Sequence, residues 1–362
     1  MEAQKARRPI EIAAAESAKL FSFKHGNVQI KVTHWSELVR GKVSSHCMVL
    51  ASKLWENFIF DPTKNQGKSK KPQCEKEDSI EPRWETQTHK SQRVERQDPT
   101  SENGKQETLR RPVKEVDFRD NDSEALLVLL RIAHLQYNDV PTTLTYKTLL
   151  DVAVLCDRYN CVELVEPWLS QWLSDEEKSW KEAGHENWLF IAWVFARDKV
   201  FSDLAARMVR EATTNDDGKC LTSSGAEVSG PMPPKVLERI QEVRKELIKN
   251  LLEVPYSRLD RYESTVASIC SRPGNREGCD AAIYGSIARG VQKAGLWPRK
   301  QAEDIHMSAK ELATRVKDIR IYAPYDSYSN QYCGGPGFWD QIPNILSAVP
   351  SPVLDLPRRH MM

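Results

Sequence analysis

Gly26-Asn27-Val28-Gln29-Ile30-Lys31-Val32 alternates apolar and polar side chains with a period of two, the pattern of a strand with one face in a core and one in water. A second strand is predicted over Leu38 to Ser44, with Gly41 at a turn or bulge. The stretch Val43-Ser44-Ser45-His46-Cys47-Met48-Val49-Leu50-Ala51-Ser52 then changes period. Ser45 is placed to cap a helix from His46 to Phe60, because its hydroxyl can accept one of the first unpaired amide hydrogens. Val49, Leu50, Leu54, Phe58 and Ile59 form the apolar face of that helix. Two strands followed by a helix are thus expected here.

On the N-terminal side, residues 1–24 form a polar lead with a weakly helical stretch from Ile10 to Leu20. On the C-terminal side, residues 61–112 are rich in Lys, Glu, Gln, Ser and Pro, and Ile80, Trp84, Val94 and Leu109 stand far apart. Such a stretch buries too little surface to offset its ordering entropy, so a disordered insertion is expected. Order resumes with a short strand around Val116 and Phe118. Asp122 or Ser123 then caps an apolar helix from Glu124 to Leu135. Helices follow over Leu144 to Tyr159 and over Val162 to Leu173, the latter kinked or interrupted at Pro167. Residues 175–254 read as helices around one Gly/Ser/Pro loop at 213–233, the last helix running from Pro234 to Val254. A helical pair is expected over 262–297, and an irregular tail from Asp318.

The stretch from Val43 to Ser52, with Trp55 and Phe58, resembles the first strand-to-helix segment of a BTB/POZ domain. Glu124-Ala125-Leu126 and Leu129-Leu130-Arg131-Ile132-Ala133-His134 resemble its buried central helix. Val140-Pro141, Leu155-Cys156-Asp157-Arg158-Tyr159-Asn160-Cys161 and Trp168-Leu169-Ser170-Gln171-Trp172-Leu173 resemble the version of this domain found in fungal proteins. The similarity covers residues 25–175, interrupted by the insertion. The helix from Trp188 to Phe201 and the segments Cys279-Asp280-Ala281 and Gly295-Leu296-Trp297-Pro298 resemble the helical extension such proteins carry. The resemblance implies an α/β (α+β) fold, a short sheet flanked by a helix cluster, followed by an all-α extension over 176–317 and a tail over 318–362. It implies protein–protein contact through dimerisation or through docking on a cullin-type ubiquitin ligase scaffold. Cullin-docking members tend to carry a hydrophobic-x-Glu motif after the central helix, whereas here that loop reads Leu135-Gln136-Tyr137-Asn138-Asp139.

The 362 residues carry a net charge of +1, and 28% are charged and 40% hydrophobic. The balance argues against a dedicated nucleic-acid binder. No stretch approaches the roughly 18 consecutive apolar residues of a membrane span. No apolar region follows the basic residues Met1 to Arg8, and the eight cysteines lack the spacing of a secreted scaffold. An intracellular protein of the cytoplasm or nucleus is expected. Lys68, Lys70 and Lys71 suggest a nuclear import signal or a nucleic-acid contact, but Glu75, Glu77 and Asp78 cancel their charge and no aromatic stacking partners lie nearby, which favours a solvated linker.

No catalytic constellation stands out. His46 and Cys47 are adjacent, and neighbours on a helix point apart. Gly285-Ser286-Ile287 lacks the glycine spacing of a nucleophile elbow. Gly334-Gly335-Pro336-Gly337 lacks the strand and helix of a phosphate cradle. A metal site would have to gather Cys270, Cys279, Cys333 and His306 by tertiary folding, and neither Cys156-x4-Cys161 nor Cys270-x8-Cys279 has tight zinc-ligand spacing. Trp168, Trp172, Trp188 and Trp193 read as a core seam between the domain and its extension. No cofactor is expected. The partner contacts are placed on the first helix, at Lys53, Trp55, Glu56 and Asn57, and on the sheet edge. Trp55 is the candidate anchor. Changing it to alanine should then weaken binding and leave the melting temperature nearly intact, whereas a core position would show a large drop.

Overall fold

The structure, a computed structural model, describes residues 16–60, 112–113, 115–222, 225–271, 275–322, 325–326, 331–332, 338–348 and 350. The fold is mixed α+β, mostly helical, with a small three-stranded sheet. The chain divides into two compact units, Met1–Ser123 and Glu124–Met362, so residues 124–175 belong with the helices that follow them.

In the first unit, β1 (Val28–His34) pairs antiparallel with β2 (Glu37–Val43) over the full length of both, and β3 (Glu115–Asp117) joins β1 in parallel, giving the order β2-β1-β3. The alternation seen in the sequence is the pleat: Val28, Ile30, Val32, Val39, Val43 and Val116 are buried. Gly41 sits at neither turn nor bulge. It pairs in register with Ile30, and a Cβ there would lie 2.2 Å from the Phe21 carbonyl oxygen. Glycine lets the 21–23 segment run along β2, where the Lys42 amide donates to Phe21 O (2.9 Å) and the Phe23 amide to Lys42 O (2.8 Å).

Two corrections concern the helix after the hairpin. Ser45 is not its own cap. Asn27 Oδ1 accepts from the Ser45 amide (2.8 Å) and Asn27 Nδ2 donates to the Ser45 hydroxyl (2.9 Å), so the cap comes from before β1. Asn27→Ala should therefore destabilise the first unit by about 1 kcal/mol, readable in denaturant melts; an unchanged midpoint would mean that water caps the helix equally well. The single helix expected over 46–60 is two, α1 (Ser45–Ala51) and α2 (Lys53–Phe60). Ser52 between them is extended, and its hydroxyl accepts from the Leu54 amide (3.1 Å) and the Trp55 amide (3.2 Å). That break rotates the apolar face. Met48, Trp55 and Ile59 are buried, while Leu50 and Leu54 point outward. The Val113 amide donates to Ile59 O at 2.7 Å, so the chain leaves α2 and returns toward β3 at one point. The insertion expected over 61–112 lies, save for residue 112, outside the described residues.

α3 (Ser123–Ala133) enters the second unit, with residues 125–130 all buried. The Thr145 hydroxyl caps α4 (Tyr146–Tyr159), which ends on Asn160 in the left-handed region, and the Cys161 amide then closes on Cys156 O. α5 (Val162–Trp172) continues through Pro167 without a break. A short α6 (Glu176–Ser179) and the largely buried α7 (Trp188–Val194) follow, and α7 packs on α4. α8 (Asp198–Glu211) leads to a small hairpin of β4 (Thr213–Thr214) and β5 (Cys220–Leu221) inside the expected loop.

The helix predicted to stop at Val254 is α9 (Val236–Ser264), 29 residues long, which passes through Pro255. Buried Leu251, Leu252, Val254, Tyr256 and Leu259 surround that proline, and tertiary packing overrides its helix-breaking propensity. Against the expected pair over 262–297, the chain has the end of α9 and one further helix, α10 (Arg276–Lys293). α11 (Ala309–Lys317) follows, capped by Ser308. α12 (Ile342–Ser347) lies in the stretch expected to be an irregular tail, and it packs on α9 with Ile342 buried. α9 is the axis on which α8, α10, α11 and α12 assemble. No helix among the described residues is long and apolar enough to cross a membrane.

Candidate functional site

β1 and β2 are joined by a two-residue turn of Trp35 and Ser36, with φ of 49° and 67°. Such a turn needs left-handed backbone at both positions, which is why Asn-Gly is the favoured filling. A tryptophan and a serine there cost roughly 1–2 kcal/mol per residue. What the strained turn presents is an indole 76% exposed, stacked on the His34 ring at 4.7 Å and 21°. His34 is itself fixed, buried and bonded through Nδ1 to the Ser123 hydroxyl at 2.8 Å. Leu38, also exposed, follows on β2.

β2 is an edge strand. Its outward amide and carbonyl at Lys42 are taken by residues 21–23, but those of Arg40 and Leu38, which face the same way, have no partner among the described residues. An open edge of this kind accepts an added strand.

The residues singled out in the sequence separate. Lys53, Glu56 and Asn57 are exposed on α2. Trp55 is fully buried, its ring edge-on to Phe118 at 6.4 Å, so as placed it is a core residue and offers no surface anchor. Trp35 and Leu38 were missed. The one signal for them was an aromatic residue in the gap between two alternating runs. In the second unit the loop after α3 exposes Leu135 and Tyr137, and the Tyr137 ring meets Trp168 at 5.4 Å. Trp168 in turn stacks on Trp172, whose indole donates to Pro141 O (2.8 Å). Trp188 is buried in α7, which packs on α4, and Trp193 is half-buried beside Phe190.

His46 is exposed and Cys47 half-buried on α1. The Ser286 hydroxyl donates to Ile283 O and accepts from the Tyr322 amide, which makes it a structural link. Cys270 and Cys279 are buried, and His306 Nδ1 meets the Thr214 hydroxyl at 3.2 Å. No group of three or more His, Cys, Asp or Glu side chains suited to a metal comes together among the described residues. Cys333, the Lys64–Lys76 cluster and Gly334–Gly337 lie outside them. Burial pushes the Cys156 thiol well above its usual range, against nucleophilic use at neutral pH.

Burial also perturbs Tyr146. Its ring stacks on His185 at 3.8 Å, and its buried hydroxyl, near the Asn187 backbone, makes no hydrogen bond of good geometry among the described residues. Burial first, and the Glu186 carboxylate second, push its pKa up to about 12. An acid whose pKa is raised by folding contributes stability below its unfolded value, near 10, and loses that contribution as pH rises through the folded one. Tyr146→Phe should thus match wild type at pH 7 and resist alkaline unfolding better between about pH 10 and 12. Identical alkaline melts would show that Tyr146 does not control that limb.

Compared with protein-family models, with curated proteins and with solved structures, the chain finds no match.

Proposed function

We propose that the chain is a non-catalytic, intracellular protein–protein interaction module with a BTB/POZ-like domain and a helical extension, docking partners or a second copy of itself. The observation that carries this reading is Trp35. A large aromatic held out by a turn that costs stability is a feature folding alone would not retain, and strained positions concentrate at binding sites. The open β2 edge and exposed Leu38 beside it support the same surface. The short sheet followed by helices supports the BTB/POZ-like domain, as the quoted motifs do.

The second reading is a substrate adaptor for a cullin-type ligase. Exposed Leu135 and Tyr137 favour it, and the absence of Glu from that loop weakens it. A nuclear, transcription-linked dimer has only the lysine cluster behind it.

Trp35→Asn with Ser36→Gly separates function from folding. Replacing the turn by its favoured residues should raise stability by about 1 kcal/mol or more. In affinity purification of the tagged full-length chain from native lysate, the variant should lose the stoichiometric partner that the wild type recovers. Equal recovery of the same partners by both would sink the role of Trp35. A cullin scaffold recovered in stoichiometric amount would put the adaptor reading first.

A further inference from the structure

A cavity of about 570 Å³ opens where α10 and α11 end and the chain turns through Asp318 to Arg320. Arg289, Lys293, Arg315 and Arg320 line it, against the single carboxylate of Asp318. Arg289 and Lys293 are four apart on α10 and so share one helical face, where like charges repel at a cost of a few tenths of a kcal/mol.

Cations at helix C-termini often serve only to offset the helix dipole. Lys293 and Arg315 fit that role, each in the last turn of its helix, and Arg315 donates to Ala294 O (3.3 Å) and to Glu311 (2.7 Å). Arg289 lies more than one turn before the end of α10, and Arg320 lies beyond α11, so the dipoles do not account for them. Neither they nor Lys293 has an ion-pair partner among the described residues, whereas Arg299 meets Asp260 and Glu263, and Lys310 meets Glu211. Four cations, less the Asp318 carboxylate and the Glu311 carboxylate paired with Arg315, less about half a charge for each helix end, leave the cleft near +1.

The cleft is also preformed. Gly290 lets Ile319 close on α10, since a Cβ there would stand 2.5 Å from Ile319 Cγ2, and the Tyr322 amide bonds to the Ser286 hydroxyl at 2.9 Å. Its volume falls in the range of ligand sites and exceeds what one phosphate group fills. Guanidinium groups pair with phosphate oxygens two at a time. We propose that this cleft binds a phosphate-bearing anion, with Arg289 and Arg320 as its principal donors. That chemistry reaches the protein either as a free small phosphate compound or as a phosphorylated side chain. The inference does not depend on the role proposed for Trp35.

Calorimetric titration of the full-length chain with pyrophosphate, and with a peptide carrying one phosphoserine beside its unphosphorylated twin, tests it. The expected result is one saturable site for at least one phosphate probe, weakening as salt is raised. In R289Q/R320Q the affinity should fall at least about tenfold, with the melting temperature kept. Binding of pyrophosphate assigns a free anion, and binding of the phosphopeptide alone assigns a modified side chain. No binding of either, or equal affinity in the double variant, overturns the proposal. Should that variant fail to fold, Lys293→Gln, also exposed and on the same face, gives the same reading.

Discussion

Trp55→Ala should cost the first unit about 3–5 kcal/mol, the loss expected when a fully buried tryptophan is cut to a methyl group. Its indole fills the space between α2 and the end of β3, edge-on to Phe118. A small unit with total stability on the order of 5–15 kcal/mol cannot absorb that loss without marked unfolding. The melting transition of the first unit should move down strongly or vanish. Alanine at Lys53, Glu56 or Asn57, exposed on the same helix, should shift stability by less than about 0.5 kcal/mol. A Trp55→Ala protein that melts like wild type but loses its partner would restore the tryptophan as a surface anchor and overturn its placement in the core.

Arg244→Met should be comparably damaging in the second unit. Arg244 is 5% exposed and lies in the first third of α9. Its guanidinium donates to Ala212 O (3.1 Å), Ile305 O (3.1 Å) and Met307 O (2.7 Å), and it forms no ion pair among the described residues. Burial lowers its pKa, but from so high a value that it keeps its charge at any ordinary pH. One side chain therefore fastens the end of α8 and the approach to α11 onto α9. Methionine matches the length and leaves three carbonyls without donors, each worth about 1–3 kcal/mol when buried and not strictly additive. A loss of about 3–5 kcal/mol is expected, with a melting temperature lower by on the order of 10 °C. Protease cleavage near residues 300–308 should appear with it. Arg244→Lys keeps the charge but cannot reach three acceptors in a plane, and should recover only part of the loss. A change below about 1 kcal/mol in the methionine variant would mean that water takes the vacated acceptors.

Local patterns were readable in the sequence. The alternation from Val28 to Val32 and the face of Leu149, Val152, Ala153 and Cys156 appear where the spacing places them. What the sequence concealed depends on distant partners. Gly41 is glycine because Phe21 crosses it. Asn27 caps a helix 18 residues further on. Pro255 stays helical because α9 is wrapped by other elements. Trp55 misled because Lys53, Glu56 and Asn57 are polar neighbours, yet its i,i+4 relation to Ile59 was the stronger sign of a buried face once Ser52 restarts the helix. Trp35 had no helical or strand period to betray it, and the turn rules that recognise Asn-Gly are silent on Trp-Ser. The basic cleft joins residues some thirty apart, and no spacing rule connects Arg289 to Arg320.

The hydrogen bond from Val113 to Ile59 has a consequence for how the chain can be altered. Because departure and return meet at one point, Ile59 and Val113 form a fixed stem, and the sequence between them can be treated as a cassette. Its length is uncoupled from the geometry of the sheet and of α2, since loop-closure entropy grows only with the logarithm of the residues enclosed. Lineages could lengthen, shorten or rewrite that cassette without renegotiating the core. For the experimenter the stem is a graft point, where a short turn or a folded reporter can be exchanged for the native stretch while Trp55 and Phe118 stay packed.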